Sequence, residues 1–150
     1  MTRCAGAILS KLVNAAGLVV VATALIQLAE PARAEVPAPL VSAEWLAGQL
    51  DRDDLVVIDV RETKAFEAAH VPGSIHSAYP GAWRIERDGV PWVLPDVADL
   101  EAYLSSIGVG NDKTVVLVPE GKDATELGRA TWPYWVLKYL GHDAVAILDG

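Results

Sequence analysis

TVVLVPEGKDA, residues 114–124, sets a run of β-branched and aliphatic residues against a proline and a short polar loop. Four apolar residues in a row after Thr114 leave no face for water, so the run reads as a strand covered on both sides. Pro119, which has no N–H to continue a ladder, ends it. LVVID at 55–59 and AVAIL at 144–148 carry the same signature. Between the first two runs, Leu100, Tyr103, Leu104 and Ile107 fall at i, i+3, i+4, i+7, the spacing of one helix face. Asp96 stands as its N-cap, Asp99 near the positive end of its dipole, and Gly108 just past its end. A second helical stretch falls within 124–140. Continuous strands alternating with helices over short connections predict right-handed crossovers and a parallel sheet with helices on both faces, an α/β fold.

The remaining segments are shorter. EVPAPLV at 35–41 is a Pro-containing lead-in without periodicity. Ser42 reads as an N-cap with Val41 and Leu46 as a hydrophobic staple, and Ala43, Leu46 and Leu50 share one face of a helix ending near Gln49. Thr63 reads as the cap of a short helix carrying Ala65, Phe66 and Ala69, ended by Pro72-Gly73, and Ser74-Ile75-His76 as a short strand. Asp88-Gly89 predicts a hairpin turn between IER and VPWVL, with Pro91 confining the second arm to an edge. Trp83 and Trp92 are expected to cover one side of the domain.

The amino terminus reads as an address. Arg3 and Lys11 precede an uncharged stretch from 12 to 29 with the apolar centre AAGLVVVATALI, and Ala32-Arg33-Ala34 supplies a small-x-small cleavage site. The expectation is a secretory signal peptide over 1–34, a lead-in over 35–40, a domain over 41–150, and a periplasmic or secreted product with no stable membrane anchor after cleavage. The whole chain has a net charge of −8. Without Arg3, Lys11, Arg33 and Glu30, 9 basic and 19 acidic residues remain, a net of −10. Such a surface repels nucleic acid and anionic lipid.

The one cysteine, Cys4, lies in the leader, so the mature segment has no disulfide, no thiolate metal site and no cysteine nucleophile. His70, His76 and His142 are scattered, without the spacing of a metal site, and read as surface or capping residues. No cofactor or metal is called for. In α/β sheets ligands bind beyond the carboxyl ends of the strands. That singles out the end of the first long strand, Asp59 and Arg61, and the loop Pro119, Glu120, Gly121, Lys122, Asp123. Gly121-Lys122 is not a phosphate loop, because the glycine five residues earlier is Val116 and Asp123 replaces the Ser or Thr that holds magnesium. There is no G-x-S-x-G, and Ser105-Ser106 sits in the last turn of a helix. Asp59 and Arg61 read as a structural pair at a strand end, since charges beside a buried strand need partners.

Five stretches taken together, VSAEWLAGQL, VVIDVRE, FEAAHVPGSI, LEAYLSSIGVGNDKTVVLV and YWVLKYLGHDAVAILDG, resemble a rhodanese domain in order and spacing over residues 41–150. The resemblance implies an α/β domain around a five-stranded parallel sheet. It also implies a sulfurtransferase chemistry, in which a cysteine directly after the strand matching TVVLV is stabilised as thiolate and persulfide by loop N–H groups and a helix dipole. Here that position is Pro119, which has neither nucleophile nor N–H.

Two-domain family members carry the cysteine in the second domain and lack it in the first. The resemblance therefore implies a first, non-catalytic domain of an exported sulfurtransferase acting on thiosulfate or 3-mercaptopyruvate. Its partner would be a catalytic rhodanese domain in cis, expected to follow Gly150. The alternative is a stand-alone, non-catalytic periplasmic binding module. Where such first domains have an arginine before their Tyr-Trp pair, this chain has Trp132-Pro133. The expectation is a break in the last helix near 131–133, with Arg129 taking over the pairing of a buried acid such as Asp59.

Overall fold

The computed structural model describes residues 36–150; the leader expected over 1–34 lies outside the described residues. In chain order the elements are β1 (Leu40–Ser42), α1 (Ala43–Ala47), β2 (Leu55–Asp59), α2 (Thr63–Ala68), β3 (Ile75–His76), a 3-10 turn (Gly81–Trp83), β4 (Ile85–Arg87), β5 (Val90–Val93), α3 (Val97–Ser106), β6 (Thr114–Val118), α4 (Ala124–Tyr139) and β7 (Val145–Asp149). Five strands form one parallel sheet in the order β1-β7-β6-β2-β3, and β4 and β5 form a separate antiparallel hairpin.

The apolar runs have no polar alternation because both faces of the sheet are covered. Val115, Leu117, Ile58, Val145 and Ile147 point to one side, where Leu100, Leu104 and Leu137 of α3 and α4 meet them. Val116, Val118, Val57, Ala146 and Leu148 point to the other, against Val41 and Leu46. This is the period of two expected of a strand, written entirely in apolar residues. Each side chain of this size, once buried, contributes about 1.5–3 kcal/mol.

The helix ends follow local chemistry. Ser42 accepts from the Trp45 N–H, and Val41 and Leu46 pack in one cluster as a staple would place them. Gly108 and Gly141, at φ of 81° and 83°, terminate α3 and α4. In both, the glycine N–H and the next N–H turn back to the last helical turn: Gly108 to Ser105, Val109 to Leu104, Gly141 to Lys138 and His142 to Leu137.

Several expectations are corrected. The largest concerns α4, which runs through Trp132 and Pro133 without the expected break. Proline inside a helix removes one hydrogen bond and costs about 3 kcal/mol. Here Ala130, Pro133, Val136 and Leu137 form the buried face of the helix, and that burial outweighs the loss. The lead-in hides a strand: β1 pairs Leu40 with Ile147 and Val41 with Leu148, although three residues are too few to show a period. α1 stops at Ala47, leaving Leu50 exposed. α2 begins at Thr63, with Glu62 at the cap position and no side-chain cap. Asp96 occupies the N-cap of α3, but its carboxylate pairs with Arg87 rather than capping the helix. Trp83 is fully buried, whereas Trp92 is more than half exposed.

Candidate functional site

The register of the sheet sets Asp59 at the end of β2 beside Val118 at the end of β6 and His76 at the end of β3. The loops that follow β2 and β6 therefore meet at one edge. Asp59 is fully buried, and its carboxylate accepts Arg61 Nε at 2.9 and 3.0 Å, Arg61 Nη2 at 2.6 Å and the Arg61 backbone N–H at 3.0 Å. The same Nη2 donates to the Ala69 carbonyl at 2.7 Å, tying the end of β2 to the end of α2. The hydrogen bond to Asp59, more than any other contact, holds the Arg61 guanidinium in its charged form.

Arg129 does not reach Asp59. It lies 3.2 Å from Glu62 and 3.5 Å from Glu126, pinning α4 to the start of α2, and the buried acid is paired by Arg61 instead. Phe66 lies between His70 and His76 as a stack, with centroids 4.1 and 4.7 Å away, and His76 Nε2 bonds the Arg61 carbonyl at 3.1 Å. The Arg61 turn is thus held by Ala69 and His76, which flank the HVPGSI stretch.

Residues 119–123 lead from β6 into α4. Asp123 is the N-cap: its Oδ1 accepts from the Thr125 and Glu126 N–H groups at 2.8 and 3.0 Å, and those two bonds hold its carboxyl below the ordinary aspartate range. Lys122 pairs with Glu120, and that hydrogen bond raises its ammonium above the ordinary lysine range. Two of the N–H groups that could face an anion at the start of α4, those of Thr125 and Glu126, are thus taken by this chain's own carboxylate. Gly121, at φ 73°, lets the loop turn. The arrangement is a set of ion pairs, Asp59–Arg61, Glu120–Lys122 and Arg129 with Glu62 and Glu126, and proline rather than a nucleophile stands at the head of the loop.

His142 is the histidine that the sequence placed least well. Only 9% of it is exposed, at the opposite end of the sheet, where it lines a cleft of about 310 Å³ with Glu101, Ser105 and Asn111. Burial pushes its imidazole below the ordinary value of 6.5. A depressed pKa means that the unfolded chain binds the proton first. The stabilisation is therefore full above about pH 6.5 and is lost as pH falls below it. Denaturant titrations between pH 8 and 5 are expected to show a downward slope in the native chain that His142→Gln lacks; parallel curves would refute it. Among the described residues no group of three or more His, Cys, Asp or Glu is placed to hold a metal ion. No helix among them is long and apolar enough to cross a membrane.

Comparison with known proteins agrees with this architecture. The family model described as a rhodanese-like domain matches residues 42–150. A protein from Saccharopolyspora erythraea named "Putative thiosulfate sulfurtransferase" is 34% identical over 113 residues, covering 74% of this chain and 37% of that one. A protein of the same name from Haloferax volcanii is 34% identical over 118 residues, covering 74% of this chain and 38% of its own. The chain thus spans less than two-fifths of the curated relatives it matches. The crystal structure of the Escherichia coli 3-mercaptopyruvate sulfotransferase SseA superposes with a TM-score of 0.58 at 21% identity, over 77% of this chain and 41% of that one, a likeness of fold. With its five parallel strands, the paired Asp59 and Arg61 below the loop and a family match from Ser42 to Gly150, the chain belongs to the rhodanese-like domain family.

Proposed function

We propose that residues 41–150 are the non-catalytic rhodanese domain of an exported sulfurtransferase. It supports, in cis, a second domain whose cysteine carries sulfane sulfur from thiosulfate or 3-mercaptopyruvate to a thiophilic acceptor. The observation that carries this reading is Pro119 at the head of the loop after β6, within the stretch 42–150 that the family model matches. The electrostatics support it as well. A sulfur-transfer site needs unoccupied N–H donors to hold a thiolate. Here Asp123 takes two N–H groups of the helix N-terminus and Glu120 takes the lysine. The charge and hydropathy pattern that reads as a leader over 1–34 supports export, and the coverage of longer relatives supports a second domain. Reading the gene past codon 150 tests the proposal: an in-frame second rhodanese segment with a cysteine at the head of its loop is expected. A stop codon directly there would sink it and leave the stand-alone binding module.

A second test addresses the loop itself. In a chain whose Cys4 is serine, Pro119→Cys is expected to give a thiol that titrates no lower than about 8.5, the ordinary value. Thiosulfate:cyanide transfer is expected to stay at background in both the native chain and the variant. The pH dependence of alkylation by iodoacetamide reads the first and a thiocyanate assay the second. A thiol reacting fully at neutral pH would show that the loop retains its thiolate cradle.

A further inference from the structure

The described arginines Arg52, Arg61, Arg87 and Arg129 each pair with a carboxylate, to Asp54, Asp59, Asp96 and Glu62 respectively. Arg84 pairs with none among the described residues. Its guanidinium lies 3.5 Å over the Trp132 ring and 5.8 Å from the centre of Tyr79, and its Nη1 donates to the Trp92 carbonyl at 2.7 Å. Its Nε is buried with no acceptor. Packed rings fix the plane of the guanidinium, and with Nε shut away from solvent and Nη1 bonded to Trp92, Nη2 is the nitrogen left to donate to an incoming carboxylate.

The surroundings define what would bring that carboxylate. Arg84 lines a cleft of about 200 Å³ with Pro80, Ile85, Glu86, Pro91 and Trp92. Trp92 is 56% exposed and sits at φ 66°, a left-handed conformation that bulky residues rarely adopt. Strain of this kind persists where the surrounding structure enforces it and clusters at binding surfaces. The register of the β4–β5 hairpin shifts between Ile85 and Arg87, next to this tryptophan, as a bulge that re-aims a side chain would require. On the far side of Arg84, Trp132, Trp135 and Tyr139 form a ring ladder along α4 with centroids 5.0 and 5.3 Å apart, and the last two are about half exposed. A free small anion would use the cleft alone. The apolar surface running on from it in both directions fits a polypeptide.

We propose that this cleft receives an acidic side chain of a protein partner, a Glu or Asp next to an apolar residue. The carboxylate accepts from Arg84 Nη2 and the apolar neighbour packs against Trp92. The only acid lining the cleft is Glu86, which opposes the incoming charge and sets the strength of the contact. The inference stands whichever task the domain as a whole performs.

The test titrates the isotopically labelled full chain with acetyl-Glu-Leu-amide, acetyl-Gln-Leu-amide and sodium acetate, following the Arg84 Nε–H and the Trp92 and Trp132 indole N–H resonances. The Glu peptide is expected to shift all three and to bind at least ten-fold more tightly than the Gln peptide or acetate. Glu86→Gln is expected to tighten it several-fold, and Arg84→Gln to abolish it. Equal binding of the Glu and Gln peptides would overturn the proposal. So would an acetate response equal to that of the peptide, which would mean a small-anion site only. Should Arg84→Gln fail to fold, Glu86→Gln decides: unchanged or weaker binding of the Glu peptide would also overturn it.

Discussion

Asp59→Ala is expected to destabilise the domain by about 3–5 kcal/mol, the range for breaking a buried ion pair by removing one partner. Asp59 is fully buried and 18% of the Arg61 side chain is exposed, so the surviving guanidinium would have little water to turn to. It would keep only its bond to the Ala69 carbonyl. The Arg61 backbone N–H would lose its acceptor as well, at the point where the chain leaves β2. Because the pair is coupled, Asp59→Ala/Arg61→Ala should cost less than the sum of the two single changes, by about 0.5–3 kcal/mol. Urea denaturation of the three variants measures this. Strict additivity would show that the two residues act separately and that their geometry at the strand end carries no energy.

That pair also marks how far the sequence could be read. The three long strands were legible because their burial on both faces removes polar residues altogether. Helix α3 was legible because its burial on one face spaces them. β1 was not, since Leu40, Val41 and Ser42 are strand only through their pairing with β7, a contact more than a hundred residues away. The same limit applies to Pro133. Local propensity argues for a break there, and only the packing of the Pro133, Val136 and Leu137 face against the sheet shows that the helix continues.

At the site, the types and positions of the charged residues were visible, whereas their pairing was not. Asp59, Arg61, Glu62, Glu120, Lys122, Asp123, Glu126 and Arg129 lie on three stretches of chain, and the sheet register decides which meet. Arg129 illustrates this: one helical turn from Glu126 and facing α2, it is committed before Asp59 can recruit it. Arg84 gave no signal, since an arginine in an irregular segment reads as solvated until its aromatic neighbours are placed.

The segment over 77–95 was the least legible, and it contains the residue whose removal should be felt most after Asp59. Trp83, in the 3-10 turn, is 0% exposed. Its indole N–H donates to the Ser77 hydroxyl at 2.9 Å and, more loosely, to the Ser77 carbonyl at 3.3 Å. Its ring meets Tyr103 of α3 edge-on at 6.0 Å, and its carbonyl accepts from the Trp132 indole at 2.9 Å. The side chain thus joins the segment after β3 to α3, and the backbone carbonyl of the same residue ties in α4. Trp83→Ala is expected to cost about 3–5 kcal/mol, the range for emptying a buried tryptophan site. Trp83→Phe keeps most of the packing and removes the donor, leaving the loss at about 1–3 kcal/mol. The separation between the two variants divides packing from hydrogen bonding, and near-ultraviolet circular dichroism with urea denaturation reads both. A loss below about 1 kcal/mol for Trp83→Ala would mean that the turn is not packed into the core.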